Sequence, residues 1–161
     1  MTTPSIALKS FALSAQEGRT EQPLDILGAE MSVKLTNDDT DGIAAIFQQN
    51  VPPMSGPPLH RHSREDEWFY VLDGEITVQI DGQQTILRAR SSAFAPRHTA
   101  HTFQNFGPGA ARMLVMVIPG RLQQFFEELS SLKRGLPAPD LVRTEQLMHE
   151  YGIELLGPPL S

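Results

Sequence analysis

The chain contains no cysteine. That absence excludes disulfides, thiolate metal ligands and a cysteine nucleophile together, and it agrees with a reducing cytoplasm as the expected compartment. No apolar run approaches the ~20 residues of a membrane span, so no membrane association is expected. Positive charge is scarce and scattered: 13 Lys and Arg stand against 19 Asp and Glu, for a net charge of −6. With no basic stripe or helix-turn-helix, nucleic acid is not an expected partner. The stretch from Met1 to Ala15 lacks a basic start, and Lys9 interrupts its apolar character, so it does not read as a signal peptide.

What is present fits one domain of 161 residues, large enough for a core without covalent staples. Residues 1–22 are polar and weakly patterned, either a loose arm or an added edge strand. From Pro23 to Gly120 the pattern is strand-like. Ile76, Val78 and Ile80 alternate with Thr77, Gln79 and Asp81, while Asp73-Gly74 and Asp81-Gly82 mark tight turns. Leu114 to Ile118 is a short apolar run suited to a buried strand. Residues 23–120 therefore read as an all-β sandwich or barrel. Beyond Pro119-Gly120 the period changes. Leu122, Phe125, Phe126, Leu129 and Leu132 recur at helical spacing, predicting a helix over 121–133. Gly135, Pro137 and Pro139 break it, and a second amphipathic helix is predicted over 140–151 with Asp140 as its N-cap. Residues 121–161 thus form a C-terminal helical extension that covers the β-domain or a subunit interface, and Gly157-Pro158-Pro159 closes it irregularly.

The chemistry concentrates in two short stretches. His60-Arg61-His62 is followed by Glu67, and a third histidine, His101, lies about forty residues on. Each element alone has a plain structural reading: a solvated His pair, a surface acid, a satisfied core histidine. Their joint spacing points instead to a first-row divalent metal. In a strand His60 and His62 face the same way. Glu67 is an odd number of residues from His62, so a turn near Ser63-Arg64 must reset the register. Glu67, Phe69 and Val71 then share one face of the next strand, with Asp66, Trp68, Tyr70 and Leu72 on the other. His101, Phe103 and Asn105 share a face further on. Four such ligands leave about two positions on an octahedral ion, which suits a reactive site.

These residues resemble the cupin family. The first cupin motif runs from Gly56 through His60, His62 and Glu67 to Gly74. In the second, Pro96, His101 and Asn105 are in register, but Arg90 and His98 occupy two positions where the family has glycine. The resemblance covers roughly residues 40–119, and the wording around His60 and Glu67, with the tail 151–159, is similar to single-domain bacterial proteins like quercetin dioxygenase. It implies a jelly roll (double-stranded β-helix), here with two C-terminal helices. It implies that His60, His62, Glu67 and His101 bind one divalent transition metal ion, whether Fe, Ni, Mn, Co, Cu or Zn. With His98 in place of glycine, the turn before His101 is expected to differ. His98 itself would border the pocket mouth, and His149 would lie on a helix surface.

The expected ligand is a small molecule. The leading reading is a metal-dependent dioxygenase acting on an aromatic or enolisable substrate. Glu67 would be both ligand and proton acceptor, and Phe69, Val71, Phe103 and Met54 would line the substrate pocket. Two alternatives stay open: redox-neutral isomerisation or hydrolysis, and a non-enzymatic small-molecule-binding protein. A homodimer is expected by analogy.

Overall fold

The computed structural model describes residues 8–132 and 140–161. Two antiparallel sheets face each other across an apolar core. The first is ordered β1 (Leu24–Ile26), β2 (Ala29–Leu35), β3 (Ala45–Val51), β10 (Ala111–Ile118), β5 (Asp66–Asp73) and β8 (Ser92–Ala95). The second is ordered β11 (Ile153–Gly157), β4 (Leu59–His62), β9 (His101–Gln104), β6 (Glu75–Ile80) and β7 (Gln83–Arg88). This is the all-β jelly roll expected from the sequence. It is not a closed barrel, however: among the described residues no hydrogen-bonded ladder links an edge of one sheet to an edge of the other. The edge strands β1 and β8 are only three and four residues long, which ends the ladder before closure.

Period-two patterning builds the interior. Val33, Phe47, Val51, Val71, Met113, Val115 and Val117 are fully or almost fully buried from alternating positions of the first sheet, and Ile76 and Val78 from the second. The apolar run of β10 resolves into a buried face (Met113, Val115, Val117) and a half-buried one (Leu114, Met116). The Asp81-Gly82 turn between β6 and β7 takes positive φ at both residues (48° and 79°), the two-residue hairpin geometry that Asp-Gly favours.

Helix α1 (Leu122–Leu132) and helix α2 (Leu141–Glu150) follow the sheets, as their periodicity predicts. Helix α1 buries Leu122, Phe125, Phe126 and Leu129, and Phe126 meets Phe47 edge-on at 5.1 Å. Asp140 caps α2, its Oδ1 accepting from the Arg143 amide at 3.0 Å. The expected break at Gly135, Pro137 and Pro139 lies outside the described residues. The described N-terminal segment, residues 8–22, forms neither helix nor strand. It is held beside β2 by an Arg19 amide bond to the Val33 carbonyl (2.7 Å) and by the Arg19–Asp39 pair.

One element has no counterpart in the sequence reading. After α2 the chain returns as β11 and pairs with β4, placing Ile153 opposite His62 and Leu155 opposite His60. The C-terminal extension thus contributes a strand beside the two histidines, and Arg61 and Glu154 pair across it at 2.7 Å.

The turn before His101 keeps its shape without glycine. His98 adopts φ 69° and Arg90 φ 73°, the left-handed region that glycine would occupy. Both side chains are exposed, and beyond a minor charge interaction of His98 with Asp66 the main cost attached to them is backbone strain. Arg90→Gly and His98→Gly are each expected to raise stability by about 0.5 kcal/mol, the relieved strain exceeding the added chain entropy. Urea unfolding measures this; a loss of stability in both variants would contradict it.

Candidate metal centre

The interior end of the roll gathers His60 and His62 from β4, His101 from β9 and Glu67 from β5. One ligand atom from each lies within 4.8 Å of all the others. All four residues are buried. The three imidazoles come from one sheet and the carboxylate from the other, so an ion held here would tie the two sheets together. Alternation in β4 turns His60 and His62 inward and leaves Arg61 in solvent. The bend at Ser63-Arg64 resets the register, and Glu67 enters on the buried face of β5 with Phe69 and Val71. Cross-strand pairing sets His101 opposite His60, with ring centroids 4.5 Å apart.

Backbone carbonyls fix two of the rings. His60 Nδ1–H donates to Pro58 O at 2.7 Å and His101 Nδ1–H to Thr99 O at 2.9 Å. Each ring therefore presents Nε2 to the centre, the arrangement by which an outer hydrogen bond orients a ligating histidine. His101 Nε2 lies 2.9 Å from Glu67 Oε2. His62 Nε2 lies 3.3 Å from the same oxygen without hydrogen-bond alignment, and both its ring nitrogens are buried without a hydrogen-bond partner. Bond lengths of about 2.1 Å to nitrogen and oxygen put neighbouring ligands of an octahedral ion about 3 Å apart and opposite ones about 4.2 Å apart. The donor spacing and the unsatisfied His62 nitrogens therefore fit a divalent ion.

Charge is distributed accordingly. Burial pushes the Glu67 carboxyl up, but the imidazoles of His101 and His62 beside it draw it well below the usual carboxylate range. Burial, reinforced by the neighbouring His101 and His62, lowers His60 to about 4. Burial also acts downward on His101, yet the hydrogen bond and charge of Glu67 reverse it and leave His101 raised. Burial pushes the nearby Glu65 carboxyl up.

These shifts dictate how the metal-free protein responds to pH. Unfolding lets His60 take up a proton below about 6.5 that the folded state refuses until about 4, so stability rises with pH across that window. Glu67 acts in the same sense: its contribution is present above its ordinary 4.5 and is lost as pH falls. His101 has the opposite sign, contributing fully below 6.5 and losing that contribution as pH rises through its elevated value. Metal-free protein is expected to be most stable near pH 6.5, with a decline on both sides in urea unfolding. A divalent ion held here would take the place of the His101 proton and is expected to remove the alkaline decline. A flat profile between about pH 5 and 8 would contradict these assignments.

A cavity of about 460 Å³ opens onto His60, His62 and Glu67. Phe69 and Phe103 form its inner wall, Phe125 and Leu129 of α1 with Met148 of α2 its outer wall, and Leu155 of β11 one side. No Lys or Arg is among the described residues lining it. Two residues expected to line it do not. Met54 is 66% exposed, turned outward where the β3–β4 connection takes φ 56°. Val71 shares the inward face of β5 but lies two residues further along, where core side chains fill the roll. Tyr70 stacks on Trp68 on the opposite face of β5. His98 is exposed outside the lining, bonding only its backbone amide to His62 O at 2.6 Å, and His149 is on the surface of α2. The helix and β11 residues were invisible as lining because their placement depends on tertiary packing; the apolar Ile153-Glu154-Leu155-Leu156 stretch was the available signal.

A family model described as Cupin domain matches residues 47–117, the stretch that carries all four clustered donors. These residues are a cupin domain. Quercetin 2,3-dioxygenase of Bacillus subtilis is 27% identical to the chain over 97 residues, covering 60% of this chain and 28% of that protein. The chain thus spans less than a third of that relative's length. An oxalate-binding protein of Thermotoga maritima is 28% identical over 90 residues, covering 55% of this chain and 74% of that protein. Among solved structures, a predicted oxalate decarboxylase of Thermotoga maritima superposes with a TM-score of 0.54 at 26% identity, covering 56% of this chain and 80% of that one. An RmlC-like cupin of Shewanella frigidimarina superposes with a TM-score of 0.58 at 21% identity over 72% of this chain and 96% of that one, which supports the fold alone. No helix among the described residues of this chain is long and apolar enough to cross a membrane.

Proposed function

We propose that this cupin uses one divalent transition metal ion, held by His60, His62, Glu67 and His101, to act on an uncharged aromatic or enolisable small molecule. We propose further that the reaction is a dioxygenation. The observation that carries this reading is that three of the four clustered donors, His60, His62 and Glu67, line a largely apolar cavity with no cationic side chain among its described lining residues. Such an ion would supply Lewis acidity toward a substrate oxygen and, where redox-active, electron exchange with dioxygen.

The protein's own groups do the rest. Phe69 and Phe103 hold a flat apolar ligand against the donor cluster, with ring centroids 5.9 Å apart and an angle of 63° between them. Side chains from α1 and α2 line the cavity and would limit the access of water to the reacting atoms. Glu67, kept ionised by its imidazole neighbours, can accept an enol or phenol proton at Oε2 once that proton lies within hydrogen-bond reach. A small dicarboxylate such as oxalate would find no Lys or Arg among the described lining residues, and the ion's surplus of about one charge would balance only one of its two carboxylates. The likeness to quercetin 2,3-dioxygenase therefore bears on the substrate more than the likeness to the oxalate-binding protein.

Oxygen uptake by metal-loaded protein with flavonols and β-diketones tests the reading. Uptake coupled to substrate loss is expected with one of these classes. No uptake with either removes the dioxygenase, and turnover under strict anaerobiosis assigns a redox-neutral reaction instead. Ligand binding that is unchanged after the metal is stripped assigns a purely binding role. The protein is further proposed to act as a homodimer, which light scattering at micromolar concentration tests.

A further inference from the structure

Of the three histidines in the cluster, His62 alone lacks an anchor. His60 and His101 each commit Nδ1–H to a backbone carbonyl two residues earlier, whereas His62 Nδ1 is buried with no hydrogen-bond partner. The atom facing it is Oε2 of Glu65, 3.8 Å away, which is also buried and also without a partner. Two unsatisfied polar atoms facing each other in an interior are uncommon, because each forfeits its bond to water. The residues carrying them sit on a bend that is tied down from outside. The Ser63 amide and hydroxyl both donate to Gly152 O at 2.9 Å, and the His98 amide donates to His62 O at 2.6 Å. Glu65 is therefore carried on an anchored stretch of backbone, its side chain unbonded, beside a ring whose Nε2 belongs to the donor cluster.

We infer that Glu65 is a positioning residue for the metal: it accepts Nδ1–H of His62 and so presents His62 Nε2 as a ligand. A neutral imidazole that ligates through Nε2 must carry its proton on Nδ1. That N–H needs an acceptor in the buried site, and a rotation that shortens 3.8 Å by about 1 Å brings Glu65 Oε2 into the normal range. A carboxylate in this place also raises the ring's basicity more than the carbonyls that serve His60 and His101, which makes His62 the strongest nitrogen donor of the set. The inference rests on the metal-site reading of the preceding section.

The test compares wild type with Glu65→Leu and Glu65→Gln, with Glu65→Met as a second apolar replacement. Leu and Met keep the buried volume and remove both oxygens; replacing a buried unpaired carboxylate by an apolar group of similar shape leaves the metal-free fold intact. Gln keeps an acceptor oxygen. Co²⁺ affinity is measured by competition with a chelator, and proton spectra of the Co²⁺ form report the exchangeable, strongly shifted N–H resonance of each ligating histidine. Leu and Met are expected to weaken Co²⁺ binding about 10- to 100-fold and to lose one such resonance to solvent exchange, while Gln keeps that resonance and most of the affinity. Leu and Met variants with wild-type affinity and a full set of resonances would overturn the role of Glu65. Wild-type protein that binds no Co²⁺ would overturn the metal site itself, and the role of Glu65 with it.

Discussion

Glu67→Gln is expected to yield a folded protein whose affinity for divalent metal falls by more than about 100-fold, beyond the usual cost of disturbing a ligand's outer hydrogen bonds. The reason is charge. Glu67 is the only anionic member of the donor set, and the other three ligands are neutral imidazoles when they bind metal. A divalent ion in that buried position keeps a formal surplus of about one charge with Glu67 and about two without it, and the interior penalises each uncompensated charge. The amide of Gln also offers an N–H₂ group to His101 and His62 where both now face a carboxylate oxygen. Chelator competition and elemental analysis of the dialysed variant measure the effect. Retention of metal at wild-type affinity would place the ion elsewhere.

Gly56→Ala is expected to destabilise the protein by about 3 kcal/mol, at the upper end of ordinary overpacking costs. The chain at Gly56 lies directly on β9. Met54 and Asn105 are joined by a backbone bond of 2.7 Å, Asn105 donates back to Ser55 O at 3.0 Å, and Thr102 Oγ1 donates to Pro57 O at 2.7 Å. A Cβ built on Gly56 would overlap the carbonyl oxygen of Phe103 and stand 2.9 Å from its carbon. The obstacle is backbone, which cannot rotate away, so the β3–β4 connection must lift from β9. His101 begins β9 and pairs with His60, so the same displacement should also weaken metal binding. Chemical denaturation of the metal-free variant measures the first effect. A change below about 0.5 kcal/mol would mean that the connection yields freely, which the ordinary tolerance of surface sites would explain and this packing would not.

Much of the centre was legible in the sequence because its geometry is local. The spacing of His60 and His62 fixes a shared strand face, and the odd interval to Glu67 demands the bend that the structure places at Ser63-Arg64. His101 needed the family resemblance as well, since nothing in its immediate surroundings says which strand it pairs with. Asp140 was readable as a cap for the same local reason as the hairpin at Asp81-Gly82. What stayed hidden was non-local. Strand β11 pairs with residues some ninety positions earlier, as the contact between Arg61 and Glu154 across 93 residues illustrates, and a five-residue stretch after a helix carries too little periodicity to announce that. Val71 was placed by strand alternation, which gives a face but not a depth, and Met54 by its apolar character alone. Glu65 was lost inside the charged run Arg64-Glu65-Asp66-Glu67. The signal was its two-residue offset from Glu67, which turns it to the buried side.

The positions of Arg90 and His98 carry a related lesson. The motif's missing glycines suggested an altered turn, but the surrounding structure imposes positive φ on whichever residue is there. Tertiary constraint overrides local preference at modest cost, and the four clustered donors keep their places.

Elemental analysis of protein purified without an affinity tag, run beside His62→Ala, addresses the metal centre most directly. About one divalent transition metal ion per chain is expected in the wild type, and a near-total loss of it in the variant. A wild type free of metal even after incubation with each candidate ion, or a His62→Ala variant that holds as much as the wild type, would contradict the convergence of His60, His62, Glu67 and His101 on a common ion.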